Sequence, residues 1–266
     1  MAAINPERSA LNCSHDKPLS ISHLLLDIEG TTCPVSFVAD SLFPYASTQL
    51  ENYLNSHQQE AVVQELLEQV LQAWRQDPSE QARRLLFKHG GADKLDRNQI
   101  QALIDYLQLQ IRNDRKLTPL KELQGMIWIQ GYDDGDLRAP LYEDVPEALR
   151  RWHRQGLVLA VYSSGSVAAQ KLLYGHTSVG DLSGLISHWF DTRIGAKTDA
   201  KSYAAVAAAM DCQPASVLFI SDRRAELEAA SAEGMAVLFS DRPGNPERDP
   251  GTFERITNFE EVILTH

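Results

Sequence analysis

A doubly wound parallel-sheet α/β core of Rossmann-like type, carrying an inserted helical cap, is the fold class this sequence predicts. Three observations predict it. The runs Leu24–Ile28, Leu157–Ser163, Val217–Asp222 and Ala236–Phe239 are short and continuously apolar, as strands buried on both faces are. Helical patterns separate the last three, which makes βαβ units. Between Thr32 and about Tyr132 helical periodicity prevails and strand signal is scarce.

The first strand ends abruptly. Leu24-Leu25-Leu26 runs into Asp27-Ile28-Glu29-Gly30-Thr31-Thr32, two carboxylates one residue apart followed by a turn. Ligands in open α/β sheets bind just beyond the carboxyl ends of such strands. Val62, Val63, Leu66, Leu67, Val70, Leu71 and Trp74 then recur at helical spacing, as do Ile100, Leu103, Ile104, Leu107 and Ile111, and then Leu120, Leu123 and Ile127. Pro78, Gly90-Gly91 and Pro119 punctuate these helices, and Asp133-Asp134-Gly135 offers a tight turn back to the core. Helices are predicted over Glu143–Gln155, Val167–Leu173, Ser202–Met210 and Arg224–Glu233, the last stopped by Gly234. The expected division is a mobile extension over residues 1–20, a core of 21–34 with 133–266, and a helical cap of 35–132. Because it begins beside the two acids, such a cap is expected to exclude water from the sheet edge and select substrates.

Composition narrows the class. The chain has 266 residues and is 43% hydrophobic, enough for a sizeable core. A formal net charge of −11 argues against a nucleic-acid binder. No apolar run approaches the roughly 20 residues of a membrane span, and the first twenty residues hold no secretory signal. Cys13, Cys33 and Cys212 are scattered and odd in number, which fits neither a disulfide framework nor a zinc site, so a reducing cytoplasm is expected. With no heptad run to signal assembly, a monomer is expected.

Four strand ends carry polar groups that make sense together: Asp27 and Glu29; Ser163 and Ser164, in a turn before a helix; Lys197, in Gly195-Ala196-Lys197; and Ser221-Asp222. Phosphoryl transfer needs a nucleophile in line with the leaving oxygen, positive charge on the phosphoryl oxygens and donors that position them. Asp27 is the candidate nucleophile. Asp27 and Asp222 are carboxylate ligands suited to Mg2+, the backbone carbonyl of Glu29 is a third oxygen, and Glu226, one turn on, is a candidate to hold a metal-bound water. Ser163 and Ser164 offer hydroxyl and amide donors, and Lys197 a point charge. Glu29 is the candidate acid/base, its pKa expected to rise because Asp27 disfavours its ionisation. Each feature alone has an ordinary reading: a strand-ending turn, a helix cap, a solvated lysine. Their order along the chain carries the weight.

That order resembles the haloacid-dehalogenase-like phosphatase superfamily. The longer runs are closer still to the enolase-phosphatases of methionine salvage. These runs are Asp27 through Thr32 with Pro34, Phe37 and Leu42-Phe43-Pro44-Tyr45; Gln130-Gly131-Tyr132; Pro140-Leu141-Tyr142; Asp144-Val145-Pro146; Tyr162 through His176; Phe190-Asp191-Thr192; Gly195 through Lys197; and Ser202-Tyr203. The resemblance implies a bifunctional Mg2+-dependent enzyme. It would enolise 2,3-diketo-5-methylthiopentyl 1-phosphate and then remove its phosphate, giving the acireductone 1,2-dihydroxy-3-keto-5-methylthiopentene. It implies Asp27, Glu29 and Asp222 as metal and catalytic positions, and Ser163, Ser164 and Lys197 as substrate positions. Glu29 is the economical base for the enolisation, with a group from the cap as the alternative. Phe37, Leu42, Phe43 and Trp128 are candidate walls for the methylthio group. Arg223-Arg224, directly after the metal acid, departs from the expected pattern. Other readings are a different Mg2+-dependent phosphatase of the superfamily, a dehalogenase, which would not need Glu29 or Asp222, and a phosphoacceptor receiver domain, which would need no cap.

Overall fold

The computed structural model describes residues 21–91, 96 and 98–264. The expected extension over residues 1–20 lies outside them. The chain forms two compact units, one of Met1–Val35 with Ala139–His266 and the other of Ser36–Arg138.

The first unit is built on a six-stranded, wholly parallel sheet in the order β3-β2-β1-β4-β5-β6. Its strands are β1 (His23–Leu26), β2 (Val158–Tyr162), β3 (His188–Phe190), β4 (Val217–Ser221), β5 (Ala236–Ser240) and β6 (Arg255–Ile256). Leu24, Leu25 and Leu26 have no exposed surface, nor do Leu218, Phe219 and Ile220 opposite them. Burial on both faces is why these strands read as unbroken apolar runs. From β1 the chain winds outward through β2 to β3, then returns to β4 and winds the other way. The reversal between β1 and β4 opens a crevice at their carboxyl ends, where such sheets bind ligands. Both β1 and β4 end a residue or two before their predicted limits, so Asp27 and Asp222 stand just beyond them, with the Asp27 N–H still donating to Ile220 O at 3.0 Å.

The helices of this unit are α7 (Val145–Arg154), α8 (Val167–Gly175), α9 (Ala200–Ala209) and α10 (Arg224–Ala232), all within a few residues of expectation. The last connection is pinned by a buried fork. Arg242, 2% exposed, donates to both oxygens of Asp144 at 2.9 and 2.8 Å and to Thr257 O, while its guanidinium lies over the rings of Tyr142 and Phe259. Bidentate geometry and the two rings repay its desolvation.

The second unit is helical. From α1 (Val35–Phe37) the chain passes through a π-helical stretch, Val38–Leu42, into α2 (Phe43–His57), then α3 (Ala61–Gln76), α4 (Glu80–Lys88), α5 (Ile100–Arg112) and α6 (Thr118–Asp133). Val63, Leu67, Val70, Trp74, Leu103, Leu107 and Leu123 form its core at the spacing read from the sequence. Pro119 does not break a helix; it sits in the first turn of α6, where its missing N–H is harmless. The unit runs to Arg138 rather than 132 because Leu137 N–H donates to Gly131 O and Tyr45 O–H to Asp136, which ties the turn to α6 and α2. Among the described residues no helix is long and apolar enough to cross a membrane.

Candidate active site

One cavity of about 230 Å³ at the carboxyl ends of β1, β2 and β4 is lined by all six predicted site residues: Asp27, Glu29, Ser163, Ser164, Lys197 and Asp222. Glu226 and Arg223 line it too.

The loop after β1 is a tight turn, with the Thr32 and Cys33 N–H groups donating to Ile28 O and Gly30 N–H to Cys33 O. Gly30 has φ +73°, and a Cβ there would fall 2.4 Å from Asp222 Oδ2. Only glycine permits both that backbone and that approach. The Gly30 carbonyl is fixed by Ser240 and Asn245, at 3.1 and 2.9 Å. Thr32 Oγ accepts from the buried Tyr174 hydroxyl at 2.9 Å, anchoring the turn's other end.

The Ser163 loop is held from β3. Ser163 N–H and the Gln170 amide both donate to Phe190 O, the Gln170 amide also donates to Gly165 O, and Asp191 accepts from Val167 N–H. The cap of α8 is Ser166, whose hydroxyl accepts from Ala169 N–H. That duty therefore does not fall on Ser163 or Ser164. Gln170 and Asp191, to which the sequence assigned no role, are the residues that shape this loop; both lie within runs that carry the family resemblance.

Lys197 is 9% exposed. Its loop turns at Gly195, where a Cβ would sit 2.1 Å from Ser202 Oγ, and is tied by Tyr162 O–H to Gly195 O and Tyr203 O–H to Lys197 O. The ammonium reaches Asp27 Oδ1 at 2.5 Å and Glu226 Oε2 at 2.7 Å. Burial works against its charge, but the two carboxylates outweigh burial and hold its pKa above the ordinary lysine value. Glu226 also accepts from Ser221 Oγ at 2.9 Å. Both contacts fall on Oε2, so the carboxylate is shared with Lys197 and Ser221 through one oxygen.

Negative charge is in excess. Burial, then the neighbouring Asp27, raises the Glu29 pKa, partly offset by Lys197. The expected direction holds, although burial rather than like charge is the larger cause. Burial, Asp27 and Glu226 push Asp222 up to about 8 against the pull of Arg223 and Lys197. Burial and Asp27 push Glu226 to about 7. Crowded carboxylates of this kind ask for a cation. Among the described residues no three His, Cys, Asp or Glu side chains form a metal-holding group. A site here would combine the Asp27 and Asp222 carboxylates with backbone carbonyl and water, the donor set that magnesium accepts.

Asp27 presents a single engaged oxygen; its Oδ2 has no hydrogen bond among the described residues. A carboxylate oriented by lysine at one oxygen and open at the other, at the switch point of a doubly wound sheet, is the arrangement that a hydrolase with an acidic nucleophile would need. A model of haloacid dehalogenase-like hydrolases matches residues 21–234. Enolase-phosphatase E1 of Synechococcus sp. (strain RCC307) is 51% identical over 86% of this chain and 88% of its own. That of Synechococcus sp. (strain CC9902) is 45% identical over 91% and 98%. The UTR4 protein of Saccharomyces cerevisiae, a solved structure, is 33% identical over 91% of this chain and all of its own, with a TM-score of 0.67. The chain belongs to the haloacid dehalogenase-like hydrolases, in their enolase-phosphatase E1 family.

Proposed function

We propose that this chain converts 2,3-diketo-5-methylthiopentyl 1-phosphate to 1,2-dihydroxy-3-keto-5-methylthiopentene and phosphate, the enolase-phosphatase reaction of methionine salvage. The observation that carries the reading is the convergence of Asp27, Glu29, Lys197 and Asp222, from distant parts of the chain, on one cavity with Ser163 and Ser164.

Glu29 takes a proton from C1, the carbon between the phosphoester oxygen and the C2 ketone, and the electrons pass to the C2 oxygen as an enolate. Asp27 then attacks phosphorus through its open oxygen as the bond from phosphorus to the C1 ester oxygen breaks, and Glu29 gives its proton to that oxygen. Water hydrolyses the aspartyl-phosphate, giving its proton to Glu29, which passes it to the C2 oxygen and is left ionised for the next turnover. A raised pKa suits a carboxyl group that must both give and accept protons near neutrality. Lys197 neutralises phosphoryl charge and fixes Asp27, and Ser163 and Ser164 donate to the phosphoryl oxygens. Mg2+, held by Asp27, Asp222 and the Glu29 carbonyl, would supply Lewis-acid polarisation of the phosphoryl and ketone oxygens. The helical unit enters the chain at Ser36, soon after the two acids, which is the reason to propose it as the substrate-selecting part. Within it Phe43 and Trp128 meet edge to face, with the Trp128 N–H donating to Leu42 O.

The test supplies the diketo-phosphate and follows the enol absorbance and free phosphate together, with Mg2+ and with EDTA. A transient enol followed by phosphate, both lost with EDTA, is expected. Phosphate release without solvent deuterium exchange would reduce the protein to a simple phosphatase, and release unaffected by EDTA would remove the metal.

A further inference from the structure

We infer that Arg223 is a substrate-binding residue of this site, which pairs its guanidinium with the phosphoryl group of the incoming substrate. The inference rests on the phosphatase reading and goes beyond the residues assigned above.

Charge on the cavity wall is the first argument. Asp27, Glu29, Asp222 and Glu226 are four carboxylates, and Lys197 is committed to two of them at 2.5 and 2.7 Å. A phosphorylated substrate would meet a surplus of negative charge. Arg223 is the one other cation lining the cavity among the described residues.

Its availability is the second. Arg223 is half exposed, and its ion pair with Glu247 is long, 3.7 Å from Nε. Its terminal nitrogens have no hydrogen-bond partner among the described residues, so the fork that matches phosphate is free. Arg224 differs: its terminal nitrogen reaches Asp249 at 3.2 Å, and Glu228 lies 3.6 Å from its Nε.

Its place in the chain is the third. Arg223 is the N-cap of α10 and makes no side-chain cap. A cation at a helix N-terminus opposes the helix dipole, and the first N–H of α10, that of Arg224, is met by Glu247 at 3.4 Å rather than by a capping side chain at position 223. A charge set against the dipole is the kind of local conflict expected at functional positions.

The experiment measures inorganic phosphate binding by calorimetry in Mg2+, alongside steady-state kinetics, for the parent, Arg223→Ala, Arg223→Lys and Arg224→Ala. Arg223→Ala is expected to raise both the phosphate Kd and the substrate KM about tenfold, the worth of one charge-assisted contact, with kcat little changed. Arg223→Lys recovers part of the loss, and Arg224→Ala matches the parent. Unchanged Kd and KM in Arg223→Ala, or an equal loss in Arg224→Ala, overturns the inference. So does a parent that binds no phosphate. A parent that binds phosphate yet releases none from the diketo-phosphate overturns the catalytic reading instead, and the phosphate Kd values still decide the role of Arg223.

Discussion

Asp222 in the α/β unit and Asp77 in the helical unit are both buried carboxylates, yet their environments drive them in opposite directions. The Asp222 residue and the Asp77 side chain are each 3% exposed. Around Asp77, burial is outweighed by three donors and a charge: Ser79 N–H at 2.9 Å, Tyr106 O–H at 3.1 Å and the Gln110 amide at 3.3 Å, with the Arg115 guanidinium 3.9 Å away. Its pKa falls below the ordinary value. Around Asp222, burial is reinforced by Asp27 and Glu226, and its pKa climbs to about 8. A structural acid arrives with its donors; the acid at the sheet edge sits among other carboxylates, the pattern that marks a candidate functional site. What separates architecture from chemistry here is the set of partners around each carboxylate, not burial alone.

The sharpest way to break this comparison is at the sheet edge. Asp27→Asn removes the nucleophile and is expected to lower phosphate release by at least about 10³-fold, with the fold retained by circular dichroism. Activity near the parent's would take Asp27 out of its role. Glu226→Gln comes next. It keeps the shape but removes one of the two charges that hold Lys197, and is expected to cost about 10–100-fold in kcat/KM. If Glu226 only filled space, the glutamine variant would turn over like the parent.

The strands that position these residues were legible in advance, because β1, β2, β4 and β5 are buried on both faces and carry the apolar runs that such burial demands. His188–Phe190 and Arg255–Ile256 were not, since edge strands of three and two residues leave too short a pattern to separate from loop. The site residues were legible as types at strand ends. The pairing of Glu226 with Lys197 was not: the interval from Asp222 to Glu226 gives one helical turn, while the meeting with Lys197 depends on where a distant loop lays its ammonium. Gln170 was invisible for the same reason. Nothing in a helix-interior glutamine announces that its amide will hold Gly165 and Phe190 together.

On the structural side the comparison is tested by Asp77→Ala. The change leaves the Tyr106 hydroxyl and the Gln110 amide without their shared acceptor, Asp77 Oδ2, in a unit whose core stacks the Tyr106 ring on Trp74, 4.8 Å apart. Stability measured by urea unfolding is expected to fall by about 2–3 kcal/mol, the cost of buried donors left without an acceptor. An unchanged midpoint would mean that water replaces the carboxylate without penalty.

The smallest effect is the most diagnostic, because it has a sign. The folded-state pKa of Asp77 lies below its unfolded value of about 3.9, so its ionised form favours the fold. Its contribution is fully present above about pH 4 and is lost as pH falls through the lower, folded value. Asp105 in the same unit is also lowered, by hydrogen bonds from Gln101, His89 and Lys88 that outweigh its burial, and Glu147, Asp181 and Asp191 in the other unit are lowered too, so the acid limb of the parent alone mixes several groups. Comparison with Asp77→Asn isolates one of them. The difference in unfolding free energy between parent and Asp77→Asn should stay level from neutral pH down to about 4 and narrow below that. A gap that widens on acidification would mean that burial, not the three donors and Arg115, governs Asp77, and the contrast with Asp222 would be lost.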